Sequence, residues 1–324
     1  MARIELTTAA MIAQAAELLR NGDLVAFPTE TVYGLGANAL NRDAVRKIFV
    51  AKGRPSNNPI IVHVTDGLRL AQVAENIPDI AFRLAERYWP GPLTLVLPRS
   101  SDLPDEVTGG GPTVAVRIPA HPIAQALLAA AQIPVAAPSA NRSTGLSPTT
   151  AAHVAASLGD SVDLILDGGA CPGGIESTVL DVTASPPRIL RPGPITAMMI
   201  EIITGPLGAA PTNENEIPRS PGQMLRHYAP RTPLEIAPDD GLNRVTELLA
   251  SQKKVAWLTW PDGPFSVNAI EHRTLPRDPV RYAAGLYAAL HDLDAAGCDR
   301  IVVAAVPNDP EWLAIRDRLT RAAN

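Results

Sequence analysis

The chain has 324 residues, 46% apolar and 19% charged, which is enough to bury a full core and longer than one core usually grows, so two domains are expected. A formal net charge of -5, with only 4% Phe, Trp and Tyr, argues against a surface given over to nucleic acid and leaves room only for a local basic cleft. Glu5 and Glu17 interrupt the first apolar pattern, no 18-residue apolar run exists, and Cys171 and Cys298 lack metal-ligand spacing; a cytoplasmic chain with free thiols and no membrane contact is the expectation.

In chain order, strand-like runs are expected at Leu24 to Phe27, Ile60 to Val64, Leu93 to Leu97, Val114 to Ile118, Val135 to Ala137, Val162 to Leu166 and Thr178 to Val182, alternating with helical patterns. The helix predicted over 41 to 52 has Asn41 or Asp43 as its cap, Val45, Ile48 and Phe49 on one face, and Gly53 with Pro55 as its stop. Residues 204 to 231 lose all periodicity while five prolines recur, which reads as an inter-domain connection. Beyond it, strands near 233 to 236, 255 to 259 and 301 to 306 alternate with helices near 240 to 251, 279 to 296 and 310 to 322, the rhythm of a small doubly wound domain.

Three clusters carry polar chemistry. PTETVYGLGANAL (28 to 40) leaves a strand and enters a helix; its Gly34 and Gly36 suit a tight turn better than a dinucleotide fingerprint, since the segment 20 residues on is basic. Lys52, Arg54, Ser56 and Asn58 stand at the helix end, stiffened by Pro55 and Pro59; two cations there complement the helix dipole, and they also offer the point charge and planar fork that hold a polyphosphate. PSANRSTGLSPT (138 to 149) crowds Ser139, Asn141, Ser143, Thr144 and Ser147 together, which is turn chemistry and equally a set of donors for a nucleotide or amino acid. Arg117 and Arg191 close strand-like runs further on, and PGGIEST lies at 172 to 178. No GxxxxGK[ST] loop is present to hold phosphates.

The ordered set PTETVYGLG, KGRPSNNPIIVH, VRIP, PSANRSTGLSPT, PGGIEST, LRPG and SPGQMLRHYAP resembles the threonylcarbamoyl-AMP synthase family in its two-domain form. The likeness in motifs runs from about residue 5 to 231, with one departure: Gly145 stands one residue later than the family's Ser-Gly. The resemblance implies an α/β fold: a YrdC-type twisted-sheet catalytic domain (1-203), a linker acting as a lid (204-231) and a small Rossmann-like α/β domain (232-324). It also implies an enzyme, the nucleotidyltransferase L-threonylcarbamoyladenylate synthase, that converts ATP, L-threonine and bicarbonate or CO2 to threonylcarbamoyl-AMP and pyrophosphate for threonylcarbamoyladenosine in tRNA.

By the same resemblance, Lys52, Arg54, Ser139 and Asn141 form the catalytic signature. Thr31, His63, Arg117, Ser139 and Ser177 are implied at threonine, and Arg54, Asn58, Thr113, Asn141, Ser147, Arg191 and His227 at ATP. Arg226, His227 and Tyr228 are implied in the lid. No carboxylate pair suits a metal cage, so Mg2+ is expected to ride on the ATP phosphates rather than on protein side chains. Downstream tRNA threonylcarbamoyl transferase proteins are the implied partners.

Arg54 and Arg191 are expected at an open cleft. The rival readings are an RNA-binding module of the same fold, a carbamoyl-transfer maturation factor, whose zinc-finger cysteines are missing here, and an inactive nucleotide-binding paralogue, against which the intact signature counts.

Overall fold

The computed structural model describes residues 3–209, 227–261, 269 and 271–324. The chain divides into two units, the first comprising residues 1–143, 148–172 and 176–223 and the second residues 144–147, 173–175 and 224–324.

In the first unit the described strands are β1 (Ile4–Leu6), β2 (Val25–Phe27), β3 (Gly34–Asn38), β4 (Ile61–His63), β5 (Leu93–Pro98), β6 (Thr113–Arg117), β7 (Val135–Ala136), β8 (Leu164–Asp167), β9 (Thr178–Asp181) and β10 (Arg188–Arg191). They form one mixed sheet in the order β1-β8-β2-β3-β7-β4-β6-β5-β9-β10. Its helices include α1 (Ala9–Asn21), α2 (Arg42–Lys52), α3 (Gly67–Leu70), α4 (Asp79–Tyr88), α5 (Asp105–Thr108), α6 (Pro122–Ala131), α7 (Ala151–Leu158) and α8 (Ala197–Thr204).

Local chemistry sets the ends of these elements. Asn41 caps α2, its side chain accepting from the amides of Asp43 and Ala44, and Gly53 at φ +60° closes the helix in the left-handed conformation. The glycines of 28 to 40 overturn the turn reading: Gly34 and Gly36 lie inside strand β3. Neither has a positive φ; a Cβ on Gly36 would stand 2.8 Å from Phe27 Cε1 and 3.0 Å from Val135 Cγ1. The glycine is there because two neighbouring side chains press on the strand.

Alternation of side chains decides what each sheet face holds. One face sends Val62, Leu93, Leu95, Leu97, Val114, Val116 and Leu180 into a large core completed by α2, α4, α7 and α8. On the opposite face, Val25, Phe27, Val135, Ala137, Leu164 and Leu166 pack under Leu19 of α1 and Leu127 and Leu128 of α6. Each leucine so buried stabilises by roughly 1.5–3 kcal/mol. That same face continues across β4, β6, β5, β9 and β10, where Ile61, Ala115, Val96, Val179 and Leu190 form a small cluster to which, among the described residues, no helix contributes.

The second unit contains β11 (Leu234–Ile236), α9 (Leu242–Ala250), β12 (Val255–Thr259), β13 (Glu271–Thr274), α10 (Pro279–Ala295), β14 (Arg300–Val303) and α11 (Leu313–Ala323). Its sheet has the order β11-β14-β12-β13, and all three pairings are parallel. Among the described residues no helix is long and apolar enough to cross a membrane.

Candidate active site

His63, Arg117, Thr113, Ser177 and Arg191 collect on the half of the sheet face where no described helix residue joins the apolar cluster. His63, Arg117 and Thr113 have the parity of Ile61 and Ala115, and Thr94 that of Val96, so all four project beside the small apolar cluster. His63 and Arg117 are register partners at the ends of β4 and β6. Thr113 begins β6 four residues earlier, about 13 Å away at the usual rise per residue. The face therefore runs from one polar end to the other over an apolar floor, a length suited to a nucleotide.

At the Arg117 end the guanidinium is held on three sides. Its Nε donates to the carbonyl of Gly91 at 3.1 Å and its Nη1 to Thr31 Oγ1 at 3.0 Å. Its Nη2 forms an ion pair with Glu30 Oε1 at 2.5 Å that lacks the alignment of a hydrogen bond. Thr31 is fixed in turn by Thr29, whose hydroxyl lies 2.8 Å from its own and donates to the carbonyl of Val32. His63 is buried beside this group, edge-on to Phe27 at 6.3 Å, with no hydrogen bond to Nδ1. Burial first, and the Arg117 charge second, push its pKa down to about 3, so the imidazole is neutral at physiological pH.

Ser177 and Arg191 meet on the neighbouring strands. Arg191 donates from Nε to the Ser177 carbonyl and from Nη2 to Ser177 Oγ, both at 3.1 Å. Ser177 Oγ lies 2.7 Å from Thr94 Oγ1. Gly193 permits this approach, since a Cβ there would meet the Thr178 amide at 2.3 Å.

The Lys52 and Ser139 clusters also meet, in a way the spacing did not foretell. Lys52 is buried, and its ammonium donates to the carbonyls of Ser139 at 2.6 Å and Asn141 at 2.5 Å, with Asn141 Oδ1 at 3.5 Å. Burial and the nearby Arg54 charge hold its pKa well below the ordinary lysine value. Lys52 thus grips the 139–141 loop from below. Ser139 bridges to Gly34 across the sheet, and Arg54 donates from Nη2 to the Pro59 carbonyl at 2.9 Å. Asn58 is buried in the same connection between α2 and β4.

Arg54 and Arg191 do not stand at an open cleft. They are 8% and 4% exposed, because each spends part of its guanidinium on backbone carbonyls that need donors. Ser147, His227 and Tyr228 belong to the second unit. There the Ser147 carbonyl lies 3.1 Å from His291 Nε2, and His227 packs edge-on to Tyr228 at 4.0 Å. Tyr228 lies under Arg318 at 5.1 Å. Arg226 lies outside the described residues.

Sequence reasoning missed Glu30 and Thr94. The available signal for Glu30 was its being the sole charge from Pro28 to Asn41, set between two threonines. Thr94 interrupts the apolar run Leu93 to Leu97 at a position facing the floor. Cys171, near Glu30, is a buried thiol whose pKa burial pushes up to about 12, which makes it inert.

A ten-stranded mixed sheet with buried cations on a helix-free face, followed by a small parallel sheet, defines a two-unit α/β protein of the YrdC type rather than a dinucleotide-binding Rossmann domain. Residues 17–193 match the Sua5/YciO/YrdC family model, described as "Telomere recombination", and residues 195–324 match "Threonylcarbamoyl-AMP synthase, C-terminal domain". The threonylcarbamoyl-AMP synthase of Bacillus subtilis is 45% identical over 320 residues, covering 96% of this chain and 92% of that protein. That of Pyrococcus abyssi is 44% identical over 315 residues, covering 95% and 93%. The crystal structure of P. abyssi Sua5 complexed with L-threonine superposes with a TM-score of 0.91 at 41% identity, covering 100% of this chain and 97% of that one. The chain belongs to the threonylcarbamoyl-AMP synthase family.

Proposed function

We infer that the helix-free half of the sheet face is where threonine and ATP meet. The chain is an L-threonylcarbamoyladenylate synthase, an adenylate-forming transferase that joins ATP, L-threonine and bicarbonate into threonylcarbamoyl-AMP and pyrophosphate. The observation that carries the site is the convergence of His63, Arg117, Thr94, Ser177 and Arg191 on one face, three of them linked by Ser177 Oγ. The threonine-bound P. abyssi relative supports an amino-acid subsite, and the neutral His63 and the Thr31 hydroxyl suit one at the Arg117 end.

In this reading threonine's amine captures bicarbonate or CO2, and an oxygen of the resulting carbamate attacks the α-phosphate. An anion attacking a polyanion needs positive charge along its path. Arg117, Arg191 and Arg54 supply it, while Lys52 shapes the Ser139–Asn141 loop rather than offering a free ammonium. Holding the two reactants in line lowers the barrier by about 7–11 kcal/mol without any nucleophile on the protein. Carbamates break down in water, so a dry floor such as Ile61, Val96, Ala115 and Val179 protects the intermediate.

Guanidinium and hydroxyl donors suit phosphate oxygens more than a bare cation. Among the described residues no three His, Cys, Asp or Glu stand where they could hold a metal. Mg2+ carried on the phosphates of ATP would supply further charge neutralisation there. The product passes to tRNA threonylcarbamoyl transferase proteins, and the two free cysteines suit a reducing cytoplasm.

The test incubates purified protein with ATP, bicarbonate and labelled threonine. Pyrophosphate and an acyl-adenylate should appear only when all three are present. Salt-sensitive retention of RNA with no ATP turnover would replace this reading with that of an RNA-binding module.

A further inference from the structure

Strand β10 does not pair regularly with β9. Arg188 stands opposite Asp181 and Ile189 opposite Leu180, but the next partner, Val179, faces Arg191, so Leu190 is an extra residue, a β-bulge. The bulge decides where Arg191 points. Val179 and Leu190 lie on the floor of the site, whereas Leu180 and Ile189 belong with the large core on the other face. In a regular strand the residue after Leu190 would return to the core side. With the bulge, Leu190 and Arg191 share the floor face, and the guanidinium reaches Ser177. Regular pairing would instead set Arg191 opposite Thr178 and push a guanidinium among the side chains of the large core.

What holds the bulge lies on that other face. Thr178, wholly buried, has the parity of Leu180. Its Oγ1 donates to the Ile195 carbonyl at 2.7 Å and accepts from the Ile195 amide at 3.0 Å, so one hydroxyl closes both backbone groups of one residue. Midway between Arg191 and Ile195, the backbone at Gly193 presses on the Ser177–Thr178 peptide. A Cβ there would stand 2.3 Å from the Thr178 amide nitrogen and 2.6 Å from the Ser177 carbonyl carbon. The chain from 191 to 195 thus wraps around the start of β9, with Arg191 at Ser177 on one face and Ile195 at Thr178 on the other. Thr178 is itself pinned, its amide donating to the Pro92 carbonyl at 3.0 Å. We propose that Thr178 is a positioning residue for adenylate formation, its hydroxyl fixing the Ile195 end of this wrap so that the bulge keeps Arg191 on the floor face. It touches no substrate and acts only through Arg191. The proposal rests on the reading of Arg191 as one of the cations that neutralise the reacting phosphates.

The experiment uses the full chain and follows pyrophosphate release at saturating ATP, threonine and bicarbonate. It compares wild type, Thr178→Val, Thr178→Ser, Arg191→Ala and the double variant Thr178→Val/Arg191→Ala. Valine keeps the shape of threonine and removes both hydrogen bonds to Ile195. Thr178→Val should be slower than wild type by roughly tenfold or more, the scale of a misplaced reacting group. Thr178→Ser, which keeps the hydroxyl, should stay within about threefold of wild type. The double variant should be slower than Arg191→Ala by no more than about twofold, because no guanidinium is left to place. A merely structural loss would multiply with that of Arg191→Ala, and such a product would overturn the proposal. So would Thr178→Val at the wild-type rate beside a slow Arg191→Ala. Arg191→Ala at the wild-type rate would instead remove the reading of Arg191 on which this rests. If Thr178→Val does not fold, Gly193→Ala, whose methyl would force the 191–195 segment off the Ser177–Thr178 peptide, takes its place in the same cycle with the same outcomes.

Discussion

The two halves of one sheet face differ in what lies on top of them, and the side chains differ accordingly. Under α1 and α6 the inward positions are Val, Phe, Ala and Leu, with no charge. Over β4, β6, β5, β9 and β10, where among the described residues no helix joins the packing, the apolar floor is small and buried Arg117, Arg191, His63, Thr94 and Ser177 surround it. The first half can be made of anything that fills volume. In the second, every cation needs partners, because a buried charge without them costs several kcal/mol. Coverage by helices therefore separates the wholly apolar part of the face from the part that carries buried charged and hydroxyl groups.

The largest test of that contrast falls on the covered half. Leu127→Ala should destabilise the protein by about 2–5 kcal/mol in chemical denaturation while leaving threonine KM where it was. A large KM change with little loss of stability would show that the halves are not separate. Next is the pH response of His63. Its native pKa of about 3 lies below the ordinary histidine value, so between those two values the unfolded chain binds a proton that the native one does not. Stability from this group is complete above about pH 6.5 and falls as pH drops. Denaturation at pH 6.5 and 4.5 should show wild type losing about 2–3 kcal/mol more than His63→Gln across that interval. Equal losses would contradict the buried, neutral imidazole. Comparable in free energy is Arg191→Ala, which should slow pyrophosphate release about a hundredfold, near 2.7 kcal/mol at the transition state. A rate within a factor of three of wild type would remove Arg191 from the site.

How much of this was legible in the sequence depended on the kind of residue. Strands with continuous apolar runs, such as Leu93 to Leu97 and Val255 to Thr259, announce themselves, as does helix α2 between Asn41 and Gly53. Strand β3 was hidden because its glycines read as turn chemistry, when their real cause is the pressure of Phe27 and Val135 from elsewhere in the chain. Strand β13, Glu-His-Arg-Thr, was hidden because it lies at the end of the sheet order and pairs only with β12, so its side chains did not have to be apolar. Within the site, motif order singled out Lys52, Ser139 and Asn141, but not that Lys52 would spend its donors on the other two. That depends on a contact spanning 87 residues of sequence. Glu30 escaped for a similar reason, since its partner Arg117 is nowhere near it along the chain.

The turn around Thr29 has a consequence for how quickly a small substrate can be captured. Its hydroxyl sits within hydrogen-bonding reach of Thr31 Oγ1, the amides of Thr31 and Val32 and the Val32 carbonyl, so the wall that carries Glu30 and Thr31 is already set in shape. The entropy of arranging that wall is lost when the protein folds and not when an amino acid arrives. A ligand with as few atoms as threonine has little interaction energy to give to loop ordering, and at the proposed subsite a wall already fixed would ask almost none of it.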